Sequence, residues 1–553
     1  MKLEKGRWLN GIAISPGLAL GKTYVYQDIL LLEQGYYNID REQVDKEHQR
    51  ITDAFDSVTM DLKEAMERAE EELDSDFSAI FRVQSEILKD EELHKDIVKE
   101  LEKELVNAEL AVKNVFRRFE NKLRSAKYAL MAQRGDDVAD LARRVLRELK
   151  GIRAHSLENL PQGTVLVAHR LLPSDTVFLS SNSVAAAIVE AGGPASHTAI
   201  IAREMGIPAV SEVSEIVKGM EQEMLVLVDG LHGRILIDPD NETRSRFLSR
   251  MAEQRQIFKR AQSACREQAR SKDGELVQVF SNIGSRSDAL LATENGAEGV
   301  GLYRLEKLFL ARKTLPTKDE LSASLDATLR ALEGLEVTLR LLDVGGDKEL
   351  PSIDNPDDEA NPALGQRGIR LLLAYEDLLD TQVRSILELS SQYRLRMMAP
   401  MVSLPEDMAA LRKRVDAIAE ELSIEAPPLG AMIETPSAAL RISEIAHYAD
   451  FFSFGTNDLT QYTMAAGREN HNVVEYFDES NPAVLRLMRI ALADLSQSGF
   501  ADHDCEICGE LASRRDSLEK VLDMGLRKLS VAPLAVPMVK EAVRQIDLSA
   551  PAC

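Results

Sequence analysis

The strongest constraint on the fold of this 553-residue chain is a series of eight short apolar runs in its C-terminal half. In order they are Leu276–Phe280, Gly299–Tyr303, Val337–Leu342, Leu395–Ala399, Leu429–Ile433, Phe451–Phe454, Cys505–Cys508 and Lys528–Val531. Helix-like stretches separate most of them, and strands that alternate with helices build a parallel sheet. Eight such runs predict a C-terminal (β/α)8 TIM barrel with its active site at the C-terminal ends of the strands. The polar residues fall there: Asn282, Arg304, Arg340 with Asp343, Glu434, Asn457 with Asp458, and Cys508 with Glu510. An acid, an arginine or a thiol at the end of run after run is the pattern of a site.

A second stretch carries chemistry of another kind. Ala191–Ile207 reads A-G-G-P-A-S-H-T-A-I-I-A-R-E-M-G-I and follows the apolar run Val184–Val189, a buried strand by composition. Gly192 and Gly193 predict a turn, Ser196 is a good N-cap, and Gly206 with Pro208 ends a short helix. His197 then lies in the first turn of that helix. Free N–H groups and the helix dipole favour a phosphate there and keep the imidazole neutral and nucleophilic. Taken alone, the stretch reads equally well as a surface histidine at an ordinary strand–turn–helix corner. The pattern G-G-x-x-S-H-x-A-I-x-A-R, however, resembles the phosphohistidine motif of the phosphoenolpyruvate-utilising enzymes. These include Enzyme I of the sugar phosphotransferase system, pyruvate phosphate dikinase and phosphoenolpyruvate synthase. The resemblance implies that His197 accepts a phosphoryl group. Family members usually carry Thr before the Ser-His pair, where this chain has Ala195.

Upstream, Gly11–Tyr26 has short apolar runs broken by Pro16, Gly17 and Gly21. It predicts two strands with a turn and resembles the opening of Enzyme I. From Arg41 to Lys150 glycine and proline vanish apart from Gly135, and an apolar stripe in steps of three and four runs from Ile51 to Leu73. Similar stripes in Ile80–Ile87, Ile97–Leu105 and Val138–Leu149 predict helical hairpins, forming a bundle or the seam of a coiled-coil dimer. The resemblance implies an insertion that docks the phosphocarrier protein HPr. Gly151–Pro239 alternates short apolar runs with turns, and Asn241–Lys272 has neither glycine nor proline. The expected fold is therefore multidomain α/β. Residues 1–30 and 151–240 form a swivelling phosphohistidine α/β domain, and 31–150 form its inserted helical, HPr-docking bundle. Residues 241–272 are a helical linker, and 273–553 are a phosphoenolpyruvate-binding barrel.

Composition narrows the class. A net charge of −24 argues against a nucleic-acid partner, which needs a basic face, and is compatible with a more basic protein partner. No signal-peptide-like start and no transmembrane-length run is seen. Four cysteines, Cys265, Cys505, Cys508 and Cys553, are too few for a disulfide framework, so the expected compartment is the cytoplasm. The resemblance further implies a homodimer through the barrel.

Phosphoenolpyruvate carries a phosphate and a carboxylate, and holding both in one orientation takes several guanidinium groups. Arg304 in G-V-G-L-Y-R and Arg340 in T-L-R-L-L-D-V-G-G-D-K-E-L-P are the candidates for the phosphoryl group, with Arg468 in A-A-G-R-E-N as a third. Gly345 and Gly346 suit a close approach of backbone to ligand, while Arg367 and Lys348 read equally as substrate contacts or structural ion-pair partners. Glu434 in M-I-E-T-P-S and Asp458 in G-T-N-D-L-T-Q-Y end neighbouring runs and are candidate ligands of one Mg2+, with Asn457 beside the phosphate. The alternative for Glu434 is a salt bridge to an arginine at the barrel mouth. Cys508 in C-E-I-C-G-E-L-A is placed to protonate the enolate of pyruvate as it leaves. Its alternative is a Cys505–Cys508 redox or zinc pair, for which His503 is the obvious further ligand.

The motifs L-D-V-G-G-D-K-E-L-P, N-P-A-L-G-Q-R-G-I-R, M-I-E-T-P-S-A-A, F-G-T-N-D-L-T-Q-Y-T and C-G-E-L-A resemble, in order, those of the Enzyme I barrel. By that pattern His197 and Cys508 are catalytic, and Arg304, Arg340, Asn457, Asp458 and Arg468 hold substrate. Glu434 and Asp458 bind Mg2+. The chain departs from the pattern at Leu305-Glu306-Lys307, where the family has Thr-Glu-Phe, and at Gly467, where it has Asp. A dikinase would add an ATP-grasp domain, for which no glycine-rich nucleotide loop is seen. A phosphorylation-state sensor that turns over poorly is the reading from another class, and steady-state turnover with a carrier separates the two.

Overall fold

In the computed structural model of this chain, the described residues are 6–26, 28–31, 35–72, 84–124, 129–152, 157, 160–172, 175, 184–192, 197–310, 314–345, 350, 361–467, 471–500 and 504–549. They divide into two compact units, residues 1–254 and 255–553.

The first unit is built on an eight-stranded mixed sheet in the order β1-β8-β7-β3-β4-β5-β6-β2. The strands are β1 (Trp8–Asn10), β2 (Ile12–Ser15), β3 (Leu18–Val25), β4 (Thr164–Ala168), β5 (Val184–Val189), β6 (Ala209–Ser211), β7 (Leu225–Asp229) and β8 (Arg234–Ile237). The four central strands β3 to β6 run parallel. Both faces of the sheet are covered, and β4 shows why its sequence is continuously apolar. Val165 and Val167 enter one cluster with Ile188 and Ile216, while Leu166 and Ala168 enter another with Val189, Ala199 and Ala202. Between β3 and β4 the chain makes an excursion into helices α1 (Val44–Glu72), α2 (Glu91–Glu104), α3 (Ala108–Arg124) and α4 (Ala129–Leu149). Their facing stripes bury Leu62, Leu101, Val112, Phe116, Leu141 and Val145 in a core of their own. Asp90 caps α2, its side chain accepting from the Glu92 N–H at 2.7 Å.

One buried cation ties this bundle to the sheet. Arg143 of α4 is 1% exposed, donates to both oxygens of Asp28 at 2.9 and 2.6 Å, and also pairs with Asp175. The Asp175 carboxylate in turn accepts from the Tyr26 hydroxyl at 3.2 Å.

The second unit is a closed barrel. Its strands are β10 (Leu276–Ile283), β11 (Gly299–Arg304), β12 (Glu336–Arg340), β13 (Arg394–Ala399), β14 (Leu429–Ile433), β15 (Phe451–Phe454), β16 (Cys505–Ile507) and β17 (Lys528–Val531). Each pairs in parallel with the next, and β17 pairs with β10 to close the ring. All eight apolar runs are strands, so the expected (β/α)8 barrel is borne out. A two-residue strand β9 (Ala269–Arg270) adds to β10 antiparallel. The segment read as a helical linker, 241–272, is helical over most of its length. Helix α6 (Asn241–Ser263) stops where the chain turns back to form β9, a pairing that local composition does not announce.

Candidate functional site

The strands deliver their polar residues to one end of the barrel. Arg304 and Arg340 are the last residues of β11 and β12 and are register partners. Arg340 is buried; one guanidinium arm donates to Glu306 Oε1 and the other lies 3.3 Å from Asp343 Oδ2. Burial alone would weaken its charge, but the Glu306 and Asp343 carboxylates outweigh that and hold it above the ordinary arginine value. Asp343 is also gripped by Arg367, with Nε on Oδ1 at 2.9 Å and Nη2 on Oδ2 at 3.0 Å. Arg367 Nη1 continues to Asp458 Oδ1 at 3.0 Å and to the Tyr462 hydroxyl at 3.2 Å. Three acids and two arginines thus form one buried charge network, and Arg367 is a member of it through ion pairs.

Glu434 follows β14 and is 1% exposed, its Oε1 accepting the Met401 N–H at 2.6 Å. Burial, then the charges of Asp458 and Asp343, push its carboxyl up to about 8. Asp458 lies in the first turn of helix α7 (Thr456–Met464), four residues past β15 rather than at its end. A dication would relieve the charge that Asp458 places on the buried Glu434 carboxyl, and no cluster of three acidic, histidine or cysteine ligands exists among the described residues. This donor set fits Mg2+, which takes one or two protein carboxylates and fills its octahedron with substrate oxygens and water. It does not fit a closed zinc site.

Cys508 follows β16, enclosed by Leu302, Met398, Met432 and Phe451, with Sγ 3.7 Å from the Phe454 carbonyl. Burial pushes the thiol up to about 11, so at neutral pH it holds its proton. Cys505 belongs to the core beneath the helices, whereas Cys508 belongs to the cluster inside the barrel. The two sulfurs face opposite sides of the strand, which argues against a redox or zinc pair. Asn457 Oδ1 accepts the Glu510 N–H at 3.2 Å, joining the loops after β15 and β16. A Cβ on Gly345, at φ +106°, would strike the Gln366 carbonyl, so this glycine serves the approach of two backbone segments.

In the first unit, His197 is the first residue of helix α5 (His197–Glu204), as the sequence predicts, and Gly206 follows the helix at φ +63°. The neighbouring Thr198 hydroxyl donates to the Leu171 carbonyl at 3.1 Å, which ties the start of α5 to the segment after β4. Gly193, Ala195, Ser196, Gly346, Lys348, Arg468 and His503 lie outside the described residues.

Three features escape the sequence reading. Glu306 is an arginine partner hidden in a stretch noted only for its departure from a motif. Glu479, far from any apolar run, accepts from the Thr456 hydroxyl and from the Leu511 N–H at 3.0 Å. His169 directs Nδ1 at Glu190 Oε2 at 2.7 Å, beside the strand that leads to His197. His169 and Glu190 are the residues just past β4 and β5, so the logic of strand ends applied to the barrel would have found them.

Comparison with known proteins gives three family matches. Residues 259–548 match the PEP-utilising enzyme PEP-binding domain, residues 160–233 the mobile domain, and residues 10–134 the N-terminal domain of those enzymes. A phosphoenolpyruvate-protein phosphotransferase of Priestia megaterium is 34% identical over 98% of this chain and 94% of its own. Proteins of the same name from Haloferax volcanii and Bacillus subtilis are 37% and 33% identical, over 90% and 98% of this chain and 87% and 94% of theirs. Among the described residues, no helix is long and apolar enough to cross a membrane.

Proposed function

The chain belongs to the PEP-utilising enzymes, and on that premise we propose that it is a phosphoenolpyruvate-protein phosphotransferase. It moves the phosphoryl group of phosphoenolpyruvate to its own His197 and then to a histidine of HPr or a paralogue, releasing pyruvate. The observation that carries this reading is the buried arginine–carboxylate network at the barrel's strand ends, set beside a thiol that stays protonated at neutral pH.

Arg304, Arg340 and Arg468 hold the substrate's anionic groups, Arg340 oriented by Glu306 and Asp343 before substrate arrives. Glu434 and Asp458 hold Mg2+, which when bound neutralises charge on the transferring phosphoryl group. Asn457 sits beside the phosphate. His197 attacks phosphorus, the bond from phosphorus to the bridging oxygen breaks, and the enolate of pyruvate departs. Cys508 gives its proton to the methylene carbon and completes pyruvate. Positioning and charge neutralisation account for most of the rate, as in phosphoryl transfer generally. Residues 1–30 and 151–240 then carry the phosphohistidine to a carrier docked on residues 31–150, with 241–272 as linker and 273–553 as the phosphoenolpyruvate domain. We expect a cytoplasmic homodimer.

The test is incubation with phosphorus-labelled phosphoenolpyruvate and magnesium. Acid-labile, alkali-stable label on the wild type and none on His197→Ala supports the reading. No label on the wild type, or equal label on both, overturns it.

A further inference from the structure

Parallel barrels of this size generally fill their interior with branched apolar side chains. This interior is different along β15, β16 and β17. Phe452 and Phe454, Cys505 and Ile507, and Leu529 and Val531 all belong to the core beneath the helices. Side chains alternate along a strand, so Ser453, Glu506 and Lys528 point into the barrel, and Cys508 points there two positions after Glu506. Register places Ser453 beside Glu506 and Glu506 beside Lys528. The three strands thus line up a polar column that rises from Lys528, at the start of β17, to Cys508 at the site.

The column has loose ends where proton transfer needs them. Ser453 Oγ and Glu506 Oε1 are fully buried, and neither has a hydrogen-bond partner among the described residues. Such groups are rare in native interiors and call for a reason. Register sets Ser453 beside Glu506, Cys508 follows Glu506 on the same inward face, and the thiolate left after donation supplies the acceptor that the Ser453 hydroxyl lacks at rest. The other Glu506 oxygen is held by Arg396 at 3.2 Å, which leaves Oε1 as the working atom. Burial holds the Glu506 carboxyl above the ordinary carboxylate range. At the foot of the column Lys528 and Glu336 sit 3.5 Å apart, with side chains 16% and 26% exposed, so solvent reaches that end.

We infer that Glu506 and Ser453 form a proton relay that reloads Cys508 from the far end of the barrel. The inference rests on the reading of Cys508 as the donor to the pyruvate enolate. After that donation Cys508 is a thiolate, buried and costly to keep charged. Ser453 gives its hydroxyl proton to the thiolate as it takes the proton of the Glu506 carboxyl. The Glu506 carboxylate then recovers a proton from solvent at the Lys528 and Glu336 end. Glu506 and Ser453 touch neither substrate nor metal; they act through Cys508 as positioning and relay residues.

A carrier-free exchange experiment isolates this step. The full-length protein, phosphoenolpyruvate, magnesium chloride and carbon-13 pyruvate are incubated in D2O and followed by NMR. Forward and reverse phosphoryl transfer moves labelled carbon into phosphoenolpyruvate. Deuterium enters the pyruvate methyl group only when the Cys508 proton has exchanged with solvent within the cycle. In Glu506→Gln and Ser453→Ala the expected result is carbon exchange close to wild type, with the ratio of deuterium uptake to carbon exchange reduced several-fold. A purely structural role would slow both exchanges and leave the ratio unchanged. An unchanged ratio in both variants overturns the relay. Should Glu506→Gln fail to fold, Ser453→Ala, which leaves the Arg396–Glu506 pair intact, decides the matter alone. Absence of carbon exchange in the wild type overturns the phosphotransferase reading itself, and the relay with it.

Discussion

Arg304 and Arg340 sit side by side in the register of β11 and β12, yet one is exposed and the other is buried against two carboxylates. Neighbouring guanidinium groups in such different surroundings answer differently to substitution. Arg304→Gln is expected to raise the KM for phosphoenolpyruvate about 10- to 100-fold, the loss of one charge-assisted hydrogen bond, with little change in melting temperature. Arg340→Gln is expected to lower both kcat and the melting temperature, because it leaves Glu306 buried without its cation and Asp343 with Arg367 alone. Steady-state kinetics and thermal melts of the two variants check this; equal melting losses would contradict it.

The grip of Arg367 on Asp343 is two-pronged, and a lysine cannot reproduce it. Arg367→Met is expected to cost about 3–5 kcal/mol of stability in denaturant titration, the usual penalty for breaking a buried pair from one side, and Arg367→Lys, which keeps the charge but loses the fork, is expected to cost less. A loss below about 1 kcal/mol for Arg367→Met, the range of exposed pairs, would contradict a buried network.

Cys508 gives a pH signature. Its folded thiol titrates near 11 against an ordinary value near 9, so the folded state binds the proton more tightly than the unfolded chain. The contribution to stability is therefore fully present below pH 9 and is lost as pH rises from 9 through 11, by up to about 3 kcal/mol. Melting curves of wild type and Cys508→Ala should converge across that window, and the thiol should alkylate very slowly at neutral pH. Rapid alkylation at pH 7 would show a lowered rather than a raised pKa.

Gly509 follows Cys508, and a Cβ there would collide with Thr456 Oγ1. Thr456 anchors Glu479 at the head of α7, the helix that carries Asp458. Gly509→Ala is expected to lower kcat about 100-fold by displacing both loops, as misplacements of about 1 Å do. An active Gly509→Ala enzyme would show that the loops yield.

In the first unit, Arg143→Met strands Asp28 and Asp175 in the interior and is expected to lower stability by about 3–5 kcal/mol. Calorimetry reads this directly, and a melting curve unchanged from wild type would contradict it.

The barrel was legible because its apolar runs end in chemistry. Arg340, Glu434 and Cys508 could be found by asking which polar residues stand at or near the end of each run. What stays hidden in a sequence is pairing at a distance. Nothing local says that Arg367 reaches Asp343 and Asp458 at once, that Glu306 faces Arg340, or that Glu479 caps the interior beneath Thr456. The alternation on β15 and β16 was visible as letters, but Ser453 and Glu506 gain meaning only when register sets them beside one another. The helical composition of Asn241–Lys272 does not show where α6 ends, because the pairing of Ala269–Arg270 with β10 is a tertiary contact.

The helical excursion between β3 and β4 has a consequence for how the chain folds. Lys22 and Thr164 are partners in adjacent parallel strands, separated by roughly 140 residues of chain. Until the intervening helices have packed, pairing those strands closes a long floppy loop. Once they have, Arg143 of α4 holds Asp28, just past β3, so the end of the excursion is folded back on its start and the loop shrinks to a short tether. Contacts local to the bundle therefore form first and draw a slow, non-local sheet pairing into reach. A growing chain emerging from the ribosome is expected to complete its bundle well before its sheet.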